Sequence, residues 1–172
     1  MTGAQKGTNW YQGEKLIHQE MEWLSNSIDV FLGNEKNAPI TCKECLLRKI
    51  AILIVSGEVQ ATEIVKSPPL RSFWKKGKEK IRKPIHHGKE WHRNTMAQVE
   101  QHFLSQKYDV RREPSLLWGR ADLGAYKHGE QGILIEVGTT SFFKIWINLE
   151  KTHNFTYLIV PDDERIIEFI RL

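Results

Sequence analysis

The sequence predicts an α/β protein: a mixed central sheet flanked by helices in the C-terminal half, in the order α-β-β-β-α-β, preceded by a mostly helical N-terminal region. Three observations carry this reading. Ile17, Met21, Leu24, Ile28 and Phe31 recur at steps of three and four residues, which is the stripe of an amphipathic helix. The unbroken apolar run Ile133-Leu134-Ile135 follows a turn and stops abruptly at an acid, as a buried strand does. Thr139, Thr140 and Ser141 then offer N-caps for a helix lying between two strand-like runs.

Taken in order, the first helix is expected over 14–32, with Gly33 where a C-cap belongs. After a polar loop over 33–39, residues 45–56 are apolar around most of a helical circumference, and Gly57 ends the element. A short helix from Thr62, a break at Pro68-Pro69 and a third, basic helix would follow. Over 49–76 this pattern resembles a helix-turn-helix or winged-helix module; the plainer alternative is a helical subdomain that packs on its neighbours. Lys75, Lys76, Lys78, Lys80, Arg82 and Lys83 crowd together beside Trp74, so a cationic strip there can neutralise phosphates while the indole stacks. Gly77 and Pro84 give the same strip the backbone of a linker. The chain accordingly divides into an N-terminal region, 1–85, and a second domain, 86–172.

Beyond Gly88 a helix is expected over 89–106, a strand over 108–113, and a hairpin of strands 120–126 and 132–137 across the turn Lys127-His128-Gly129-Glu130. The capped helix runs to about residue 151, a strand occupies 155–160, and after Pro161-Asp162-Asp163 a last strand or helix covers 166–172.

Chemistry concentrates on the hairpin. Asp122 opens one strand and Glu136, fourteen residues on, ends its neighbour. An acid closing an apolar strand is costly to bury unless a cation compensates, and a hard divalent ion shared by two carboxylates does so. The alternatives are exposed acids at sheet ends, or Asp122 paired with Arg120.

Residues 119–149, GRADLGAYKHGEQGILIEVGTTSFFKIWINL, with the preceding helix and strand, resemble the PD-(D/E)XK superfamily of restriction-endonuclease-like nucleases over 88–172, about half of the chain. The resemblance implies a restriction-endonuclease-like fold and hydrolysis of phosphodiester bonds in DNA, with Mg2+ or Mn2+ held by Asp122, Glu136 and the Val137 carbonyl. It also implies a lysine at the position occupied here by Gly138, so the motif reads Glu-Val-Gly. Lys144, on the helix that follows, is the expected replacement, since a long amine can bring the same charge from another Cα. Its plainer reading is a solvated helix residue. The missing lysine also leaves open a DNA-binding protein that keeps the nuclease fold without catalysis. Members often add a helix carboxylate; Glu90, in Gly88-Lys89-Glu90-Trp91-His92, is preferred here over Glu100. His92 reads either as a packed core histidine or as a phosphate contact, and Glu113 is a further acid nearby. A homodimer is compatible with the resemblance, because many such nucleases dimerise to cut both strands.

The Cys42-x-x-Cys45 spacing is half of a zinc site that His86 and His87 would complete; the alternative is two reduced thiols at a helix start. A formal charge of +4 suits a polyanionic partner, and the longest apolar run, 50–55, is far short of a membrane span, so a soluble cytoplasmic protein is expected. The sequence contains no G-x-S-x-G, Walker A or dinucleotide-binding glycine loop, which removes the commonest alternative chemistries.

Overall fold

The computed structural model describes residues 8–27, 43–65, 89–161 and 165–171. Helices α1 (Thr8–Ser27) and α2 (Lys43–Val55) come first, followed by strand β1 (Val59–Val65). Helix α3 (Lys89–Ser105) leads into β2 (Asp109–Arg112), β3 (Leu123–Tyr126) and β4 (Gly132–Val137), then α4 (Phe142–Lys151), β5 (Phe155–Val160) and β6 (Arg165–Arg171). The strands form one six-stranded mixed sheet in the order β1-β6-β5-β4-β3-β2. Neighbours are antiparallel except β4 and β5, which run parallel; that pairing requires a crossover, and α4 supplies it.

Because side chains alternate along a strand, β4 divides its residues between two cores. Leu134 joins Tyr157, Ile159, Ile167 and Phe169 beneath α1, α2 and α4, which contribute Leu24, Ile50, Phe142, Ile145 and Leu149. Ile135 and Val137 face the other way with Leu123, Ala125 and Val160, and α3 covers them through Val99 and Phe103. The result is a sheet between two helical layers. Each fully buried apolar side chain in these cores contributes roughly 1.5–3 kcal/mol.

The segment expected to turn helical at Thr62 is strand β1. Val59, Thr62, Ile64 and Val65 are β-branched, and the strand pairs with β6 from Val59↔Arg171 to Val65↔Arg165. Cross-strand contacts reinforce the register: Thr62 Oγ1 donates to Glu168 Oε2 at 3.1 Å, and Arg165 lies 3.7 Å from Glu63. The helix-turn-helix pattern therefore loses its second helix to the sheet, and residues on both sides of position 85 build that sheet. The expected Pro68-Pro69 break, the third helix and the cationic strip lie outside the described residues. Gly57 stops α2 as expected, with φ +79°, a conformation glycine adopts without strain. The undecided C-terminal element is strand β6. Among the described residues no helix is long and apolar enough to cross a membrane.

Candidate active site

Asp122 stands one residue before β3 and is strapped across to β4. Its amide donates to the Ile135 carbonyl at 3.0 Å, and its Oδ2 accepts the Val137 N–H at 2.7 Å. That second bond fixes the carboxylate at the end of β4, directly beside Glu136. Glu136 itself is only 4% exposed. Its Oε1 accepts the Tyr157 hydroxyl at 2.8 Å and lies 2.7 Å from the Lys144 ammonium. The two acids line one open cleft of about 500 Å³ together with Trp91, His92, Arg93, Val137, Gly138 and Thr139. The first turn of α3 thus forms one wall, and His92 Nε2 lies 3.4 Å from Asp122 Oδ2.

Burial pushes the Glu136 carboxyl above the usual carboxylate range; Lys144 and Tyr157 pull it partway back, while the charge of Asp122 raises it further. The Tyr157 phenol is pushed well up, first by burial and then by the Glu136 charge, so it remains a neutral donor.

Lys144 reaches this centre from the first turn of α4. The helix begins after Ser141, whose hydroxyl caps it by accepting the Lys144 N–H at 3.2 Å. The side chain then passes beside Gly119, and its Nζ donates to the Arg120 carbonyl at 2.6 Å. At 17% side-chain exposure it is no solvated helix residue. Lys151, two turns on, is 54% exposed and lies against Glu150.

The glycine of the Glu-Val-Gly motif has a physical reason. Gly138 has φ +90°, and a Cβ there would sit 3.3 Å from the Trp91 ring, while its N–H donates to the Val160 carbonyl at 2.8 Å. A lysine at that position would combine a left-handed backbone with a crowded Cβ.

Other expected residues are placed elsewhere. Arg120 pairs with Glu113 at 3.2 Å rather than with Asp122. Glu100 is taken by Arg112, whose Nε and Nη2 approach at 3.2 and 2.5 Å. Glu90 is exposed in the first turn of α3 and is not among the residues lining the cleft. Cys45 is exposed in the first turn of α2. Cys42, His86, His87 and the strip Trp74, Lys75, Lys76, Lys78, Lys80, Arg82 and Lys83 lie outside the described residues.

Two participants were not singled out from the sequence. Tyr157 alternates with the buried Phe155 and Ile159, and the only clue was that a buried Tyr hydroxyl must find a partner. Asn148, 1% exposed, holds the turn before Asp122 by accepting the Trp118 N–H at 3.1 Å and donating to its carbonyl at 3.2 Å.

Among the described residues no group of three or more His, Cys, Asp and Glu side chains gathers around one point. The carboxylates that line the cleft are Asp122 and Glu136. Such a hard-oxygen set suits Mg2+ or Mn2+, which take one or two carboxylates and fill the remaining positions with water and phosphate oxygens. The buried Glu136 fits this too, since a divalent charge would offset what burial costs its ionised form. Comparison of the chain with protein-family models, with curated protein sequences and with solved structures finds no match in any of the three.

Proposed function

We propose that this chain is a metal-dependent nuclease of the PD-(D/E)XK kind, hydrolysing phosphodiester bonds in DNA. The observation that carries the reading is that Asp122, just before β3, and Glu136, on β4, line one cleft while Lys144 reaches Glu136 from α4. The element order α3-β2-β3-β4-α4-β5 agrees with the α-β-β-β-α-β order expected from the sequence pattern. Lys144 reaching Glu136 from the helix supports its role as the replacement for the lysine missing at Gly138. DNA as substrate rests on that resemblance and on the lysine-rich strip 74–83.

Asp122, Glu136 and the Val137 carbonyl would hold Mg2+ or Mn2+. When bound, the ion supplies Lewis acidity at the phosphate and lowers the pKa of a coordinated water. The chain's own groups do the rest. The Val137 N–H keeps Asp122 turned toward the cleft, so the acid needs no reorganisation on binding. Lys144, held by Glu136 and the Arg120 carbonyl, would bring its ammonium toward the negative charge that grows in the transition state. His92 and Arg93 line the wall along which the phosphodiester would lie. Nothing in this set reads base sequence, so selectivity would come from DNA shape or from residues elsewhere in the chain.

Incubating the purified chain with plasmid, linear, single-stranded and branched DNA, with and without Mg2+ or Mn2+, tests the reading. Metal-dependent cleavage is expected. Binding without cleavage would favour a DNA-binding protein that keeps the nuclease fold.

A further inference from the structure

One oxygen of each acid is already engaged. On Glu136, both the Tyr157 hydroxyl (2.8 Å) and the Lys144 ammonium (2.7 Å) meet Oε1. On Asp122, the Val137 N–H (2.7 Å) and His92 Nε2 (3.4 Å) both meet Oδ2. A carboxylate oxygen offers two lone-pair directions, so two donors on one oxygen commit it and turn the other toward a cation.

The two donors on Oε1 differ in how firmly they are held. Lys144 is a long flexible chain steadied only at its tip, by Glu136 and the Arg120 carbonyl. Tyr157 is fully buried on β5, the strand paired in parallel with β4, in register with Leu134 and facing Phe169 on β6. The sheet therefore fixes its hydroxyl relative to Glu136. The Tyr157 ring belongs to an apolar cluster, while its hydroxyl meets Glu136 and Thr140, so a residue needed only to fill this core could be phenylalanine.

We infer that Tyr157 is the positioning residue of the centre: its hydroxyl holds Oε1 of Glu136 and so presents Oε2 alone to the cation. The inference rests on the metal-centre reading above. Hydrogen-bond partners of this kind orient metal ligands, and losing one typically weakens metal binding by about 10-fold to 100-fold.

The test uses the full chain with Mn2+ as the probe, free Mn2+ being counted by electron paramagnetic resonance. Tyr157→Phe should raise the Mn2+ dissociation constant by about 10-fold or more. Phe169→Leu, which loosens the same core without touching Glu136, should lower thermal stability and leave that constant unchanged. A second measurement needs no change at position 157. The Mg2+-induced infrared difference spectrum, wild type minus Glu136→Gln, should carry the carboxylate splitting of one-oxygen coordination. A dissociation constant for Tyr157→Phe within about two-fold of wild type would overturn the role of Tyr157, given the loss expected for an orienting partner. So would a two-oxygen signature for Glu136 in the wild type, even if Tyr157→Phe failed to fold. A wild-type chain that binds no Mn2+ would overturn the metal centre itself, and this inference with it.

Discussion

Replacing Lys144 by alanine removes two contacts at once, the ion pair to Glu136 at 2.7 Å and the bond to the Arg120 carbonyl at 2.6 Å. In the nuclease reading the larger effect is kinetic. A charged transition-state contact in a partly dry site is worth about 3 kcal/mol, so the single-turnover cleavage rate should fall roughly 100-fold. The smaller effect is on folding. Glu136 is left with the Tyr157 hydroxyl as partner, and orphaning one member of a charged hydrogen-bonded pair costs about 1–3 kcal/mol. For a domain of this size about 2 kcal/mol corresponds to roughly 4–8 °C in Tm. Part of that loss should return on adding Mg2+, since a bound cation takes over the neutralising role. Lys151→Ala is the control, because it removes the same charge from an exposed position two turns away. Quenched-flow cleavage and thermal denaturation, each with EDTA and with Mg2+, measure both effects. If Lys144→Ala matched Lys151→Ala in rate and in Tm, Lys144 would be an ordinary helix residue and the displaced-lysine argument would fail.

The pH dependence of folding provides an independent check on Glu136. Its pKa is raised in the folded chain, so ionising it costs stability; that cost is complete above the raised folded value and absent below the unfolded value of about 4.3. Glu136→Gln should therefore raise Tm in EDTA at pH 7.5 and make no difference near pH 4, and a loss of Tm at pH 7.5 would contradict the burial argument. Gly138→Ala should lower stability by roughly 1–2 kcal/mol, the cost of a left-handed backbone for a residue with a Cβ. For the same reason Gly138→Lys should not restore cleavage in the Lys144→Ala background; full recovery would show that the loop relaxes freely. Neutralising Lys75, Lys76, Lys78 and Lys80 together should reduce the log–log salt slope of DNA binding by up to about 0.9 per lost phosphate contact. An unchanged slope would assign that strip to a linker.

What could be read in advance follows from how local each signal is. The spans of β4 and β5 were legible because apolar runs bounded by turns are complete within a few residues. Glu136 stood out as a charge where the pattern called for an apolar side chain, and Ser141 was one of three adjacent N-cap candidates. Strand β1 was not legible. VQATEIV carries Gln, Ala and Glu, which a helix accepts, and what decides it is pairing with a strand 106 residues away across Thr62 and Glu168. The partners of Glu136 depended on distance in the same way. The hydroxyl of Tyr157 meets Glu136 only through the parallel register of β4 and β5, which no spacing in the chain reveals. Arg120 was weighed as a partner for Asp122, two positions away, yet it reaches Glu113 because the bridge between Ser115 and Arg120 folds the connection back on itself.

The central claim is that Asp122 and Glu136 hold a catalytic divalent cation over a DNA phosphodiester. The most direct measurement compares wild type, Asp122→Ala and Glu136→Ala for cleavage of DNA in Mg2+ and for DNA binding in Ca2+. Cleavage abolished in both variants, with binding largely retained because phosphate contacts come from many cations rather than from two acids, is the expected result. Wild-type cleavage in both variants, or no metal-dependent cleavage by the wild type on any DNA form, would contradict it.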